Sequence, residues 1–221
     1  LYWKILLDEI DFENVGFALK MPQDSLFVRT MLPKTTLKNG VIDLKEASYY
    51  VKSFGIDNAE LAYGPKEELF LQQIGLQLDS IYYCGKDIRA NIEEFVLKER
   101  SGLELVSTEG RIVSDSVLIE IPKFTMKTTA SSLDLQTKIG WDVLEMKKTG
   151  VLSAKINAEI GKGDVAKILG GRDTLFLQTY PNKPFVFRAD AEGNLNSLRL
   201  RTLEAGLAKA FEVKAQGNLL H

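Results

Sequence analysis

The sequence predicts a mainly β protein, an antiparallel meander that carries one short helix. Three observations predict it. Apolar and polar residues alternate with a period of two over several stretches, which places apolar groups on one face of a strand and polar groups on the other. Glycine-containing pairs punctuate the chain at Asn39-Gly40, Ser101-Gly102, Glu109-Gly110 and Gly193-Asn194. Glycine reaches positive φ without steric cost, so each pair reads as a turn between strands of about 5 to 11 residues. Residues 187–195 recur as 211–219 in the pattern F-x-Φ-x-A-x-G-N-L, at an offset of 24 throughout. A recurring two-strand unit suits an extended, stackable architecture. One polar face per strand argues for antiparallel pairing, because parallel strands buried on both faces read as continuous apolar runs.

The elements follow in order. Asp-Ser before an apolar residue recurs at Asp24-Ser25-Leu26, Asp79-Ser80-Ile81 and Asp115-Ser116-Val117. Both side chains can bond nearby backbone N–H groups, so each triplet reads as a turn entering a strand. Cys84 is the one cysteine, which excludes an internal disulfide. It reads as a small half-buried side chain at a strand end; a reactive thiol would need a basic neighbour, and Lys86 is the candidate. Leu133, Leu135, Ile139 and Trp141 alternate with Asp134, Gln136, Lys138 and Gly140. Leu152, Ala154, Ile156, Ala158 and Ile160 alternate with Ser153, Lys155, Asn157 and Glu159. Residues 163–169 break the rule: Asp164 is placed as an N-cap and Gly170-Gly171 as a stop, which predicts a helix near 164–169. Pro181 and Pro184 bracket a loop. Phe185, Phe187, Ala189 and Ala191 form the next stripe, and Phe211, Val213, Ala215 and Leu219 the last. No linker or low-complexity tract intervenes, so residues 1–221 read as a single continuous β module, a fragment of a longer repetitive protein.

Composition removes several function classes. The 28 Lys+Arg nearly balance 30 Asp+Glu, where a nucleic-acid binder would carry a basic excess. Apolar runs fall short of the roughly 20 residues that span a bilayer. The single histidine, His221, leaves no Ser-His-Asp triad, Cys-His pair or multi-histidine metal site within the chain. Gly161-Lys162-Gly163-Asp164-Val165-Ala166 fits G-x-G-x-x-A, but the helix is too short for a crossover and the preceding stripe is half-exposed. It reads as a tight turn into a capping helix. The acidic clusters Asp8-Glu9 with Asp11, Glu67-Glu68 and Glu93-Glu94 read as solvated surface.

The unit at 187–195 and 211–219 resembles the AsmA-like superfamily. The stretch from Asp79-Ser80-Ile81-Tyr82-Tyr83 through Glu99-Arg100-Ser101-Gly102-Leu103 to residues 110–116 resembles its TamB branch, the translocation and assembly module. The Ile160-Gly161-Lys162 turn, the short helix and Lys183-Pro184-Phe185 are similar too, so the resemblance covers essentially the whole chain. It implies a curled antiparallel β-meander forming an open trough, the β-taco, with an apolar interior. It implies a periplasmic location as part of an inner-membrane-anchored protein. It further implies phospholipid transport between inner and outer membranes and support of outer-membrane biogenesis. No enzymatic activity and no cofactor are implied. The partners implied are phospholipid acyl chains, neighbouring repeats of the same chain, and an outer-membrane barrel protein through regions outside this fragment. On that reading Leu133, Leu135, Ile139, Leu152, Ala154, Ile156, Ala158, Ile160, Phe185, Phe187, Ala189, Ala191, Phe211, Val213 and Ala215 line the trough. Alternation alone also fits a β-sandwich binding module for carbohydrate or protein, with Tyr180 beside Pro181 as an exposed loop aromatic. A structural scaffold for outer-membrane protein assembly, meeting clients at its strand edges, is the third reading.

Overall fold

The computed structural model describes residues 2–21, 26–64, 68–145, 150–170, 172 and 174–220. Asp24, Ser25, Glu67, Gly171 and His221 lie outside the described residues. Twelve strands pair antiparallel in sequence order as one sheet. They are β1 (Lys4–Met21), β2 (Leu26–Asp43), β3 (Ser48–Tyr63), β4 (Leu69–Cys84), β5 (Asp87–Glu99) and β6 (Glu104–Ser114). The remainder are β7 (Leu118–Thr128), β8 (Ser132–Gly140), β9 (Leu152–Ile160), β10 (Phe185–Gly193), β11 (Ser197–Leu207) and β12 (Phe211–Leu220). The short helices are α1 (Trp141–Leu144), α2 (Lys162–Leu169) and α3 (Thr174–Thr179). The expected meander is present as an open sheet, with β1 and β12 as its two edges and no closure into a barrel.

Several local expectations are corrected. Among the described residues three helices are present where the sequence predicted one. Strands reach 18 residues, because Asn39-Gly40 and Glu109-Gly110 lie inside β2 and β6 and are not turns. Gly110 serves close approach: a Cβ there would meet the Phe124 ring at 2.8 Å. Asp79-Ser80 lies inside β4, with Ser80 at φ 54 beside a register shift. Trp141 leaves the β8 stripe and opens α1, where its Nε1 donates to the Asp115 carbonyl at 2.7 Å and Lys86 Nζ sits 4.9 Å from the ring centre. Lys86 is thus engaged with Trp141 and Glu145, while the Cys84 thiol donates to the Glu46 carbonyl. Ser101-Gly102 and Gly193-Asn194 do turn the chain. The Asn194 side-chain oxygen accepts the N–H groups of Asn196 and Ser197, each at 2.9 Å. Asp115 acts likewise, accepting from Val117 at 2.7 Å and Leu118 at 2.9 Å.

The long strands keep one apolar face by a device the alternation did not reveal. A strict period of two would carry side chains to alternate faces without interruption. Across β1 to β4 the apolar pattern instead takes three-residue steps, Leu7 to Ile10, Leu37 to Gly40, Val51 to Phe54 and Leu78 to Ile81. Register aligns these steps, pairing Leu7 with Gly40 and Ile10 with Leu37, then Gly40 with Val51 and Leu37 with Phe54. Within them Asn39 and Ser80 are left-handed, at φ 51 and 54. A second set, Phe12 to Val15 and Ile56 to Ala59, contains Asn14 and Asn58 at φ 55 and 56. One left-handed residue absorbs the extra position, and asparagine tolerates that conformation best after glycine.

The sheet has one layer. Each strand makes its main contacts with its sheet neighbours. Among the described residues the buried apolar side chains are Ala59, Ala62 and Tyr180. The larger apolar side chains of the strands are half-buried or exposed. The sandwich alternative is therefore overturned, since a sandwich core needs a second sheet packed on the first.

Candidate functional site: a continuous apolar face

Residues opposite one another in an antiparallel pair point to the same side of the sheet. Register therefore shows which side chains share a face. Leu135 faces Ile156, Ile156 faces Ala189, Ala189 faces Leu203 and Leu203 faces Ala215. Leu133, Ala158, Phe187, Ala205 and Val213 form the next row, and Phe185 pairs with Ile160. The Phe185 and Phe211 rings lie 6.2 Å apart. Apart from Trp141, the stripe residues predicted from sequence thus share one face, Leu152, Ala154, Ala191 and Ile139 included.

That face does not stop at β8. From Leu135 the row continues through Phe124, Gly110, Ile92, Leu78, Phe54 and Leu37 to Ile10 on β1. A second row crosses all twelve strands as well. It runs Ile5, Ile42, Tyr49, Tyr83, Ile88 and Ser114, then Ile119, Ile139, Leu152, Gly193, Leu198 and Leu219. Neither row contains an ionisable carboxylate or a cation. On β1 to β4 the stripes escaped the sequence reading because they carry three-residue steps. The usable signal was Φ-x-x-Φ with asparagine or serine inside it.

The opposite face is charged. One of its rows runs Glu9, Lys38, Ser53, Asp79, Asn91, Arg111 and Lys123. Cross-strand ion pairs stud it, among them Glu9–Lys38 at 2.7 Å, Glu120–Lys138 at 3.0 Å and Arg188–Glu204 at 3.2 Å. Such exposed pairs contribute about 0–1 kcal/mol each, so they solvate this face more than they hold the sheet. A depression of about 600 Å³ involves this face near the β11–β12 hairpin and includes Val186, Arg188, Glu204, Lys209 and Glu212.

Beyond the C-terminal end of β9 a polar cluster ties α2 to the β7–β8 turn. The N-cap of α2 is Gly161, so Asp164 is one turn inside and does not cap its own helix. Asp164 is 2 % exposed. Its carboxylate accepts hydrogen bonds from Ser131 at 2.6 Å, from Thr128 and from Thr129. Burial pushes the carboxyl up, but those hydroxyls and the nearby Lys167 ammonium outweigh it and hold Asp164 below its ordinary range. Tyr180 is a strut and not a loop aromatic: it is 7 % exposed, and its hydroxyl donates to the Ile160 carbonyl at 3.0 Å. No family model, curated protein or solved structure matches the chain. The apolar face therefore carries the functional reading by its own chemistry.

Proposed function

We propose that this chain is a section of an apolar-lined β trough that conducts phospholipid, its acyl chains lying on the continuous apolar face. The observation that carries the reading is the pair of charge-free rows crossing the twelve strands of a sheet that, among the described residues, no second layer covers. An apolar surface of that extent left in water forfeits the hydrophobic gain that folding usually takes from it. Acyl chains recover it at about 0.8 kcal/mol per buried CH₂ group. A hydrocarbon guest needs no directional contact, only freedom from charges along its path. The wide lane of Ala154, Ala158, Ala189 and Ala191 leaves room for it on the C-terminal half. The sequence resemblance adds the setting: a periplasmic segment of an inner-membrane-anchored protein that passes phospholipid between the two membranes.

Photocrosslinking in cells tests the reading, with a probe replacing Ile156 on the apolar face or its neighbour Lys155 on the charged one. Phospholipid adducts are expected at 156 and not at 155. Absence of lipid at both positions in a folded protein refutes the conduit. Client-protein adducts without lipid at 156 would favour the scaffold reading.

A further inference from the structure

We propose that one rim of the sheet, around Tyr49 on β3 and Tyr83 on β4, seats the headgroup and glycerol esters of a zwitterionic phospholipid, whose acyl chains run from there onto the apolar face. This rests on the conduit reading and adds to it the orientation and headgroup class of the cargo. Tyrosine and tryptophan join an apolar ring to a polar tip, so they collect where hydrocarbon meets water. The chain holds 7 tyrosines and 2 tryptophans. The antiparallel order brings all of them except Tyr63 and Tyr180 to the rim formed by the β2–β3, β4–β5, β6–β7 and β8–β9 connections. Phenylalanine has no polar tip, and it lies along the strands or towards the opposite rim, as at Phe70, Phe185 and Phe211.

Tyr49 and Tyr83 stand in the charge-free row between Ile42 and Ile88, so both belong to the apolar face. Their rings lie 6.0 Å apart, and neither hydroxyl has a hydrogen-bond partner among the described residues. The two residues are 44 % and 46 % exposed. Phenol groups placed so can donate to ester carbonyls, which sit between the headgroup and the acyl chains of a phospholipid. The turns beside the rings mix both signs of charge. Lys45 lies 3.4 Å from Glu46 after β2, and Lys86 after β4 lies 2.9 Å from Glu145. A headgroup with a phosphate and an ammonium finds an opposite charge for each, whereas a purely anionic one meets every cation with an acid beside it. Phe54 and Leu78 lie five residues further along the same face, about 17 Å away, within reach of an extended acyl chain.

Two phosphatidylcholine probes in vesicles test this on the whole protein, one photoreactive near the ester and one at the acyl terminus, with adducts mapped by mass spectrometry. The ester-proximal probe is expected to label residues 43–50 and 82–89 over residues 61–64 and 69–71 by roughly fivefold, the worth of one net hydrogen bond. The terminal probe should label the face around Phe54 and Leu78 instead. Tyr49→Phe with Tyr83→Phe keeps the rings and removes the hydroxyls, and should abolish the bias of the first probe while the face is still labelled. Unlabelled phosphatidylcholine should displace the probes better than phosphatidylglycerol does. Labelling of the face without bias between the rims, a bias unchanged in the double variant, or equal displacement by the two lipids overturns the headgroup seat and leaves the conduit standing. No labelling of the face by either probe overturns both.

Discussion

A Cβ on Gly161 would stand 2.2 Å from the Ala130 carbonyl oxygen, and one on Gly163 would stand 3.4 Å from the Ala130 Cβ. The G-x-G-x-x-A motif is thereby explained without a nucleotide: at least its first glycine lets the α2 entry lie against the β7–β8 turn. Gly161→Ala should destabilise the protein by about 1–3 kcal/mol, the usual cost of overpacking, measured by urea denaturation. Asp164 holds the same junction from the other side. Its folded carboxyl lies below the ordinary aspartate value, so the unfolded chain binds the proton more readily. The stability it adds is present above about pH 4 and is lost as pH falls through its folded value. Hydrogen exchange in α2 should accelerate on that acid side. Asp164→Asn should raise exchange at neutral pH and flatten the acid dependence; an unchanged pH profile would show that the carboxylate is not the tether. Neither role was legible in sequence. An aspartate two residues into a helical pattern reads as an N-cap, and only the folded chain brings Thr128, Thr129 and Ser131 to it.

At the scale of the element, the long strands depend on residues that look wrong for a strand. Asn39 and Asn58 are left-handed inside β2 and β3. A β-branched side chain in that conformation costs about 1–2 kcal/mol, and glycine removes the penalty. Asn58→Val should therefore lower stability by that amount, and Asn58→Gly should preserve or slightly raise it, both read from denaturant midpoints. Equal effects of the two substitutions would mean that the kink is not held at residue 58. These residues explain why turn chemistry misled at Asn39-Gly40. A pair that favours positive φ can close a hairpin or absorb one extra position in a continuing strand, and its composition does not distinguish the two. The stripes on β8, β9, β10 and β12 were legible because their apolar steps stay at two residues, whereas β11, which steps from Leu200 to Leu203, was not read.

At the scale of the molecule, a one-layer sheet changes what a core substitution means. In a sandwich, a carboxylate at Ile156 would be buried without a partner and would cost several kcal/mol or unfold the protein. On an open face it remains reachable by water. Ile156→Asp should leave the far-ultraviolet circular dichroism spectrum and the thermal midpoint nearly unchanged while abolishing phospholipid adducts and passage. Loss of folding in this variant would indicate a closed core around residue 156, and unimpaired lipid passage would remove the conduit. The sequence by itself determined the antiparallel class, the meander order and the polarity of each regular strand, because these follow from local alternation and short connections. Tertiary structure alone decided that the twelve strands remain one open layer and that their stripes join into unbroken rows. The physical reason is that alternation specifies which side of a strand avoids water but not what covers that side. A second sheet and a hydrocarbon guest satisfy the same pattern, and only the pairing of every strand with its sequence neighbours leaves the face uncovered.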